Sequence, residues 1–357
     1  MTKRLFIPGP IDVREDVLQK MTTPMIGHRG KEASELQKGI SEKLQKLLYT
    51  EEEILLSTSS GSGLMEGAIR SCTSCKAAVF SCGAFGDRWY KMAVANNVKA
   101  DLYKVDMGTA VTPEFVDKVL KTGDYDLIAV QHNETSTGIT NPIAEIAEVV
   151  KKYPEVIFCV DAVSSAGGMK IEVDKLNIDI LITSTQKALG LPPGMAICTF
   201  SKKAIKRAEK VEFRGSYFDL LAMYKYLKKK NYQYPSTPSI SLMYAMNYQL
   251  DNILEEGLEN RFKRHEKMAK IVREWAKKNF KLFTDENHLS NTLTVIENTK
   301  NIDVAQLNKE LEKRGMQIAN GYGDLKEKTF RISHMGDYQI DDIKYLLNTI
   351  DEILGFN

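Results

Sequence analysis

The 357-residue sequence contains no apolar stretch that approaches the ~20 residues needed to span a bilayer. Its opening residues also lack the apolar core and the cleavage site of a secretory signal peptide. An excess of charge of one sign is absent as well, because 49 lysines and arginines against 47 aspartates and glutamates leave a net charge of only +2. These absences argue against a membrane protein and against a nucleic-acid-binding protein, and they predict a cytoplasmic location.

The five cysteines are too few for the disulfide framework of a secreted protein in a chain of this length. Cys72 and Cys75 form a Cys-x-x-Cys pair, which in other proteins can bind a metal or carry redox chemistry. No second pair at zinc-site spacing follows, and the pair is predicted to end a helix, whereas a thioredoxin-type pair begins one. We therefore expect reduced thiols and no metal site.

The composition is that of an ordinary globular protein, with 43% hydrophobic and 27% charged residues. Short apolar runs alternate with helix-length segments, and the predicted strands are 54–57, 77–81, 100–105, 127–131, 156–160, 178–183 and 195–200. Helices are predicted between most of them, including 64–71 and 88–97. This order predicts an α/β fold with a mainly parallel seven-stranded sheet that helices cover on both faces.

The pattern changes after residue 200. An extended loop at 232–238 is followed by a long helical region, 239–279, which should bend near Gly257. Predicted strands at 293–297 and 329–333 then indicate a smaller α/β domain. We expect three parts, namely an N-terminal segment of residues 1–20, a large domain of residues 21–245 and a small C-terminal domain of residues 246–357.

Lys187 lies in the stretch Ser-Thr-Gln-Lys-Ala-Leu-Gly-Leu-Pro-Pro-Gly, just past the predicted 178–183 strand. The carboxyl ends of strands are where open α/β sheets bind ligands. Gly190 and the Pro-Pro-Gly turn favour a lysine held in a pocket over one on a solvated helix face. An amine in such a place can form a Schiff base, although a loop lysine taken alone is more often merely solvated.

Three further loops at predicted strand ends carry polar residues. The stretch Ser-Ser-Gly-Ser-Gly at 59–63 precedes a helix, whose free N–H groups and positive dipole end suit a phosphate, although a capped turn would use the same residues. The 132–138 loop could donate hydroxyls to a ligand or form an ordinary turn. Asp161 follows the 156–160 strand, where an acid either caps a segment or pairs with a cation. A phosphate cradle, an acid and an amine at one sheet edge together outline a pyridoxal phosphate site.

From Pro8-Gly9-Pro10 to Phe330-Arg331-Ile332, the residues resemble the class V, fold-type I pyridoxal phosphate aminotransferases. The resemblance is to the branch that contains the alanine–glyoxylate, serine–glyoxylate and small aspartate aminotransferases. Its most specific part is Ser-Thr-Gln-Lys-Ala-Leu around Lys187, with the Pro-Pro-Gly that follows. The resemblance implies a large domain built on a mainly parallel sheet and a smaller C-terminal α/β domain.

The resemblance also implies a role for each matching residue. Lys187 would carry the cofactor covalently, Asp161 would pair with its pyridinium nitrogen, and Thr135 would reach its ring hydroxyl. Phe85, in Gly-Ala-Phe-Gly-Asp-Arg, stands where an aromatic side chain stacks on the cofactor ring. Arg331 matches the arginine that binds the substrate α-carboxylate. The phosphate would be held by Ser60, Gly61, Ser62 and Gln186 and, from the partner subunit, by Tyr234 and Thr237, which implies a homodimer with shared active sites.

These roles predict transamination. Asp161 would keep the cofactor nitrogen protonated so that the ring accepts electrons, and Lys187 would move the substrate proton as base and acid. The preferred donor is a small neutral amino acid, alanine or serine, with a 2-oxo acid such as glyoxylate or pyruvate as acceptor. Aspartate is the alternative, and its second carboxylate would need another cation, for which only Arg29 and Arg214 lie near motif loops.

Two other functions compete with transamination. A cysteine desulfurase or selenocysteine lyase of the same fold needs a mobile nucleophilic cysteine in the C-terminal part, but the last cysteine, Cys198, lies in a predicted strand. A non-catalytic dimeric binding module is expected to have lost the lysine or the acid, and this chain has both Lys187 and Asp161. We therefore expect an aminotransferase.

Overall fold

The computed structural model describes residues 3–356. The strands are β1 Arg4–Phe6, β2 Glu53–Ser57, β3 Ala77–Ser81, β4 Ala100–Lys104, β5 Leu127–Gln131, β6 Asn133–Glu134, β7 Ile139–Thr140, β8 Ile157–Asp161, β9 Ile180–Ser184, β10 Ala196–Phe200, β11 Lys281–Leu282, β12 Leu293–Glu297, β13 Met316–Asn320 and β14 Thr329–Ser333. The α-helices are α1 Glu15–Lys20, α2 Lys31–Leu48, α3 Gly61–Cys72, α4 Ala84–Ala95, α5 Pro113–Leu120, α6 Ile143–Val150, α7 Lys202–Ala208, α8 Leu220–Lys229, α9 Ile240–Glu256, α10 Leu258–Asn279, α11 Val304–Lys313 and α12 Ile340–Leu354.

The larger sheet has seven strands in the order β2-β10-β9-β8-β5-β3-β4. Its strands pair in parallel except β10, which is antiparallel to both β2 and β9. Alternate residues of β8 bury on opposite faces, because Phe158 and Val160 belong to one apolar cluster and Ile157 and Cys159 to another. Helices thus cover both faces, which is why these strands are apolar throughout. The predicted mainly parallel seven-stranded sheet is confirmed.

Some boundaries near the predicted site differ from the sequence prediction. Strand β8 runs to Asp161 and strand β9 to Ser184, so Asp161 is the last residue of its strand and does not follow it. Helix α3 begins at Gly61 and helix α4 at Ala84, one turn earlier than predicted. Glycine and serine are weak helix formers, so the apolar periodicity becomes visible only at Leu64, after the helix has begun.

The sequence prediction missed helices α7 and α8. Each begins at a capping residue: the Ser201 hydroxyl accepts the Ala204 N–H at 3.0 Å, and the Asp219 carboxylate accepts the Leu221 N–H at 3.0 Å. Serine and aspartate are preferred at this position because they satisfy the unpaired N–H groups of the first turn. These caps are the signal that could have located both helices.

The smaller sheet has five strands in the order β1-β13-β14-β12-β11. The apolar side chains of helices α10, α11 and α12 form one buried cluster with those of this sheet. Strands β12 and β14 have the predicted bounds. The sequence prediction missed β1 and β13, which pair in parallel. The start of the chain therefore lies in the second sheet, and α9 runs across residues 245 and 246. The division into three parts stays a prediction.

No helix within residues 3–356 is long and apolar enough to cross a membrane. Cys72 ends α3 and is buried, whereas Cys75 is exposed, and all five cysteines are free thiols. In the same described part of the chain, no group of three or more His, Cys, Asp or Glu side chains is arranged to hold a metal ion.

Candidate active site

A cavity of about 130 Å³ lies at the carboxyl ends of strands β5, β8 and β9. The residues nominated from the sequence that line it are Ser60, Gly61, Ser62, Phe85, Thr135, Asp161, Gln186 and Lys187. A second cavity, of about 380 Å³, shares Phe85, Thr135 and Lys187 with the first. Its other walls come from the start of the chain and from the smaller sheet, and they include Arg331. The two cavities thus join the ends of the large sheet to the smaller sheet.

The first cavity has an anion-binding end at the start of α3. A Cβ atom at Gly61 would lie 2.7 Å from Cγ2 of Val163, and one at Gly63 would lie 2.6 Å from the ring of Phe218. Real Cβ atoms do not approach other atoms so closely, so only glycine lets the 12-residue helix begin at this place. Its unpaired N–H groups and the positive end of its dipole favour a bound phosphate.

Three buried side-chain oxygens at this end have no hydrogen-bond partner, namely Oγ of Ser184, Oε1 of Gln186 and Oγ1 of Thr58. Ser184 and Gln186 both line the first cavity. Buried polar atoms are normally paired, because leaving one unpaired costs about 1–3 kcal/mol. The hydroxyls of Ser184 and Thr58 can donate to the oxygens of a phosphate, and the Gln186 amide oxygen can accept from a donor group of the ligand. The residues present therefore fit a phosphorylated cofactor.

Asp161 is buried in the wall of the first cavity, with only 3% of its surface exposed. The indole N–H of Trp89 donates to its Oδ2 at 3.2 Å, and the backbone N–H of Val163 donates to its Oδ1 at 3.0 Å. Burial raises the pKa of Asp161 to about 6, although both hydrogen bonds and the nearby Lys187 act to lower it. A desolvated carboxylate of this kind is stabilised by a cationic partner, such as a protonated ring nitrogen.

The amine of Lys187 reaches back to the start of the chain, where its Nζ donates to the Pro8 carbonyl oxygen. Gly9 lies against the same side chain, with a φ of +100° and space for no Cβ, because that atom would lie 2.7 Å from Cδ of Lys187. Burial, together with the positive charge of Arg331, lowers the pKa of Lys187 to about 8. Near neutral pH a larger fraction of this amine is uncharged and nucleophilic than in an ordinary lysine.

Glu134 anchors the helix that carries Phe85. Its buried carboxylate accepts the backbone N–H of Phe85 at 3.1 Å and that of Gly86 at 3.0 Å, both at the start of α4. A carboxylate that is costly to bury is thus stabilised by the N-terminal end of a helix. The next residue, Thr135, lies in the wall of both cavities and donates its hydroxyl to Ser164 at 2.8 Å.

Arg331 lies on β14 and faces the second cavity. Its Nε donates to the Asn320 carbonyl at 3.1 Å and its Nη1 to the Thr135 carbonyl at 3.3 Å, while its guanidinium carbon lies 5.5 Å from the centroid of the Tyr322 ring. Burial lowers the pKa of Arg331 to about 10. Within residues 3–356, no acidic side chain forms an ion pair with it. A largely buried cation without an acid is suited to bind a carboxylate.

Tyr234 and Thr237 are not among the residues that line either cavity of their own chain. Tyr234 is buried, and its hydroxyl accepts the backbone N–H of Thr58 at 3.3 Å. A contact between these two residues and the phosphate of a partner subunit stays a prediction.

The two arginines nominated for a second substrate carboxylate do not line the cavities either. Arg29 donates to the carbonyl oxygens of Tyr234 and Pro235, and Arg214 donates to the Asp219 carboxylate at 3.1 Å. Both arginines thus hold loops of their own chain. Closeness to a motif along the sequence does not tell where a long side chain points, and a contact of either arginine with a second substrate carboxylate stays a prediction.

The sequence prediction missed three side chains that the fold brings to the site. Arg88 and Trp89 follow Phe85 by three and four positions, so on a helix they share its face, and this spacing was a usable signal. Tyr322 approaches from the smaller sheet, and no local sequence pattern indicates that it belongs to the site. Its ring centroid lies 5.4 Å from that of Phe85.

A larger cavity, of about 550 Å³, lies where strands β8 and β9 begin, at the opposite edge of the sheet. Its walls include Asp179, Lys202 and Lys203, but none of the nominated residues. The convergence of a carboxylate, an amine and an anion-binding helix end, and not cavity size, therefore locates the site.

The architecture and the site define a fold-type I pyridoxal phosphate enzyme. The family model for class V aminotransferases matches residues 16–346, and the chain belongs to that family. It is therefore a transaminase, and its cofactor is pyridoxal phosphate.

Similar proteins differ in the amino donor that their names give. The chain is 42% identical over 340 residues to an uncharacterised aminotransferase of Methanocaldococcus jannaschii, covering 94% of this chain and 88% of the other. It is 31% identical to the L-aspartate–glyoxylate aminotransferase of Paracoccus denitrificans, covering 93% and 86%. The crystal structure of an alanine–glyoxylate aminotransferase from Nostoc sp. matches with a TM-score of 0.94 at 25% identity, covering 99% and 96%. These likenesses favour transamination over the lyase and over the binding module.

Proposed function

We propose that this aminotransferase moves the amino group of a small amino acid, such as alanine or serine, to a 2-oxo acid such as glyoxylate or pyruvate. The observation that carries the proposal is that Lys187 lies in the wall shared by the cavity of Asp161 and the cavity of Arg331. The likeness to an alanine–glyoxylate aminotransferase supports a small neutral donor.

The first cavity would hold pyridoxal phosphate, with Lys187 as its covalent attachment and Asp161 at its ring nitrogen. Thr135 would face the ring hydroxyl and Phe85 the ring. The phosphate would lie at the start of α3, among Ser60, Gly61, Ser62 and Gln186. When bound, the cofactor supplies a ring that accepts electrons from the substrate carbon whose proton is removed.

Three residues of the chain would each have a separate role in the reaction. Asp161 keeps a proton on the ring nitrogen, because a buried carboxylate is stabilised by a cation beside it. Lys187 would take the proton from Cα of the substrate and deliver it to the cofactor carbon C4′, a role that suits an amine whose pKa is lowered to about 8. Arg331 fixes the α-carboxylate by paired charge-assisted hydrogen bonds, which holds Cα beside Lys187.

We also propose that the enzyme works as a homodimer with shared sites. Tyr234 and Thr237 lie outside both cavities of their own chain, and the family resemblance assigns them to the phosphate of the partner subunit. The proposed location is the cytoplasm.

The direct test is to trap the cofactor on its lysine. Holoenzyme treated with borohydride should retain the cofactor through a stable C–N bond, and peptide mass spectrometry should find it on Lys187. Lys91, which is exposed on α4, serves as an internal control for non-specific labelling. A Lys187→Ala variant should show no label. A label on another lysine of the wild-type enzyme, or transamination by Lys187→Ala at the wild-type rate, would refute the assignment.

A further inference from the structure

Tyr322 lies between two arginines. The guanidinium carbon of Arg331 is 5.5 Å from its ring centroid, and Nη2 of Arg88 donates to its hydroxyl at 3.2 Å. Within the described residues 3–356, neither arginine forms an ion pair with an acidic side chain. The site thus holds two cations on either side of one tyrosine, although the α-carboxylate of a neutral amino acid needs only one.

Arg88 lies in the wall of the Lys187 cavity and approaches the Arg331 cavity through Tyr322. It lies on α4, where its guanidinium carbon is 4.7 Å from the centroid of the Phe85 ring and its Nη1 donates to the Ser62 hydroxyl at 3.4 Å. It lines the cavity of Lys187, and together with Tyr322 it also lines a third, adjoining space of about 310 Å³. Because Tyr322 lines both this third space and the cavity of Arg331, a group bound to Arg331 could extend past Tyr322 to Arg88.

An anion at Arg88 has two possible sources, the side chain of the substrate and the phosphate of the cofactor. The shorter hydrogen bond of Arg88 goes to Tyr322, on the side of Arg331, and the longer one goes to Ser62, on the phosphate side. The phosphate end already has the start of α3 and the unpaired hydroxyl of Ser184. These contacts favour the substrate.

We propose that Arg88, assisted by the Tyr322 hydroxyl, binds an acidic group on the side chain of the substrate. The site would then accept four-carbon dicarboxylic amino acids such as aspartate, in addition to small neutral donors. The proposal rests on the proposed function, because it assigns the α-carboxylate to Arg331. It replaces Arg29 and Arg214, which are engaged elsewhere, as the source of the second cation.

The planar guanidinium of arginine can hold a carboxylate through two parallel hydrogen bonds, and this geometry is lost in shorter or uncharged side chains. The cation–π contact with Phe85 restrains the Arg88 guanidinium before the substrate arrives. A site arranged in this way should prefer a dicarboxylate to a monocarboxylate of the same length.

The test compares Arg88→Met with Lys118→Met in the holoenzyme. Lys118 is exposed on α5 and lines none of the three cavities, so its substitution removes one positive charge away from Tyr322. Calorimetric titration with succinate and with butyrate measures binding without turnover. Wild type and Lys118→Met should bind succinate at least about tenfold more tightly than butyrate, and Arg88→Met should lose that difference. The ratio of kcat/KM for aspartate to kcat/KM for alanine should fall in parallel.

Further variants keep the result decisive. Tyr322→Phe should weaken succinate several-fold and leave butyrate unchanged, and it decides the matter if Arg88→Met does not fold. Equal affinity of the wild type for both acids would overturn the proposal. So would an Arg88→Met enzyme that binds pyridoxal phosphate more weakly and loses alanine and aspartate activity equally, because Arg88 would then serve the phosphate. Arg331→Met should weaken the binding of both succinate and butyrate. If it weakens the binding of neither acid, while Arg88→Met still weakens succinate selectively, then the assignment of the α-carboxylate to Arg331 fails and the Arg88 site stands.

Discussion

The indole N–H of Trp89 donates to Asp161 at 3.2 Å, across 72 positions of the sequence. Together with the Val163 N–H on the other carboxylate oxygen, this bond holds Asp161 in one orientation at the end of β8. A carboxylate that must stay charged in a buried site needs such donors, because burial alone favours its protonated form.

Removing the Trp89 donor should therefore weaken the hold on the cofactor. Trp89→Phe keeps the ring but loses the N–H, and a hydrogen bond to a charged group contributes about 1.5–3 kcal/mol. We expect pyridoxal phosphate to bind about tenfold more weakly, as measured by absorbance titration of the apoenzyme. Trp275→Phe is the matched control, because its indole donates to Asp351 at 2.7 Å far from the site. Equal cofactor affinity in the two variants would contradict the role of Trp89.

The negative charge on the buried Asp161 should lower the unfolding free energy of the cofactor-free protein. Burial raises its pKa from 3.8 to about 6. The folded state thus binds an extra proton between these values, so stability falls as the pH rises through that window, by about 3 kcal/mol in total. The Asp161→Asn variant has no carboxylate to titrate at this position, so its unfolding free energy should not show this fall. Its apoenzyme should melt at a higher temperature than the wild type above pH 6, and the two curves should converge near pH 4. Calorimetric curves that stay parallel across this range would rule out a raised pKa, and near-normal turnover by the variant would refute its catalytic role.

Substitution of Gly9 should disturb the active site more than substitution of another glycine with a positive φ. A methyl group there would lie 2.7 Å from Lys187, whereas one at Gly123, whose φ is +77°, would meet nothing within 4 Å. Both Gly9→Ala and Gly123→Ala should lose about 1–2 kcal/mol of unfolding free energy to left-handed strain. Only Gly9→Ala should displace Lys187 and lose most of the borohydride-stable label. Full labelling of Gly9→Ala would show that the side chain tolerates the shift.

Mixed dimers test the shared site. A Lys187→Ala chain and a chain with both Tyr234→Phe and Thr237→Val should each be inactive as homodimers. One site of the mixed dimer would combine an intact Lys187 with an intact partner loop, so part of the activity should return after subunit exchange. Phenylalanine keeps the buried ring of Tyr234 in place. No recovery after confirmed exchange, or a fully active monomer, would count against the proposal.

The alternation of apolar runs and helical segments was enough to predict the seven-stranded sheet, because each buried strand shows its character in its own few residues. The motif around Lys187, the glycine-rich start of α3 and Asp161 were visible for the same reason, since each lies within a short stretch at a strand end. The Gly-Ala-Phe-Gly-Asp-Arg stretch indicated Phe85 but not the neighbouring Arg88, whose contact is made by a distant chain segment.

Only the tertiary structure decided which residues meet. Pro8 reaches Lys187 across 179 positions, and Tyr322 reaches Arg88 across 234. The strand β1 likewise joins the second sheet only through pairing with the distant β13. Local periodicity reports which face of an element is buried, because burial acts on each residue where it stands. It does not report which remote segment supplies the covering side chain, since that depends on how the whole chain packs.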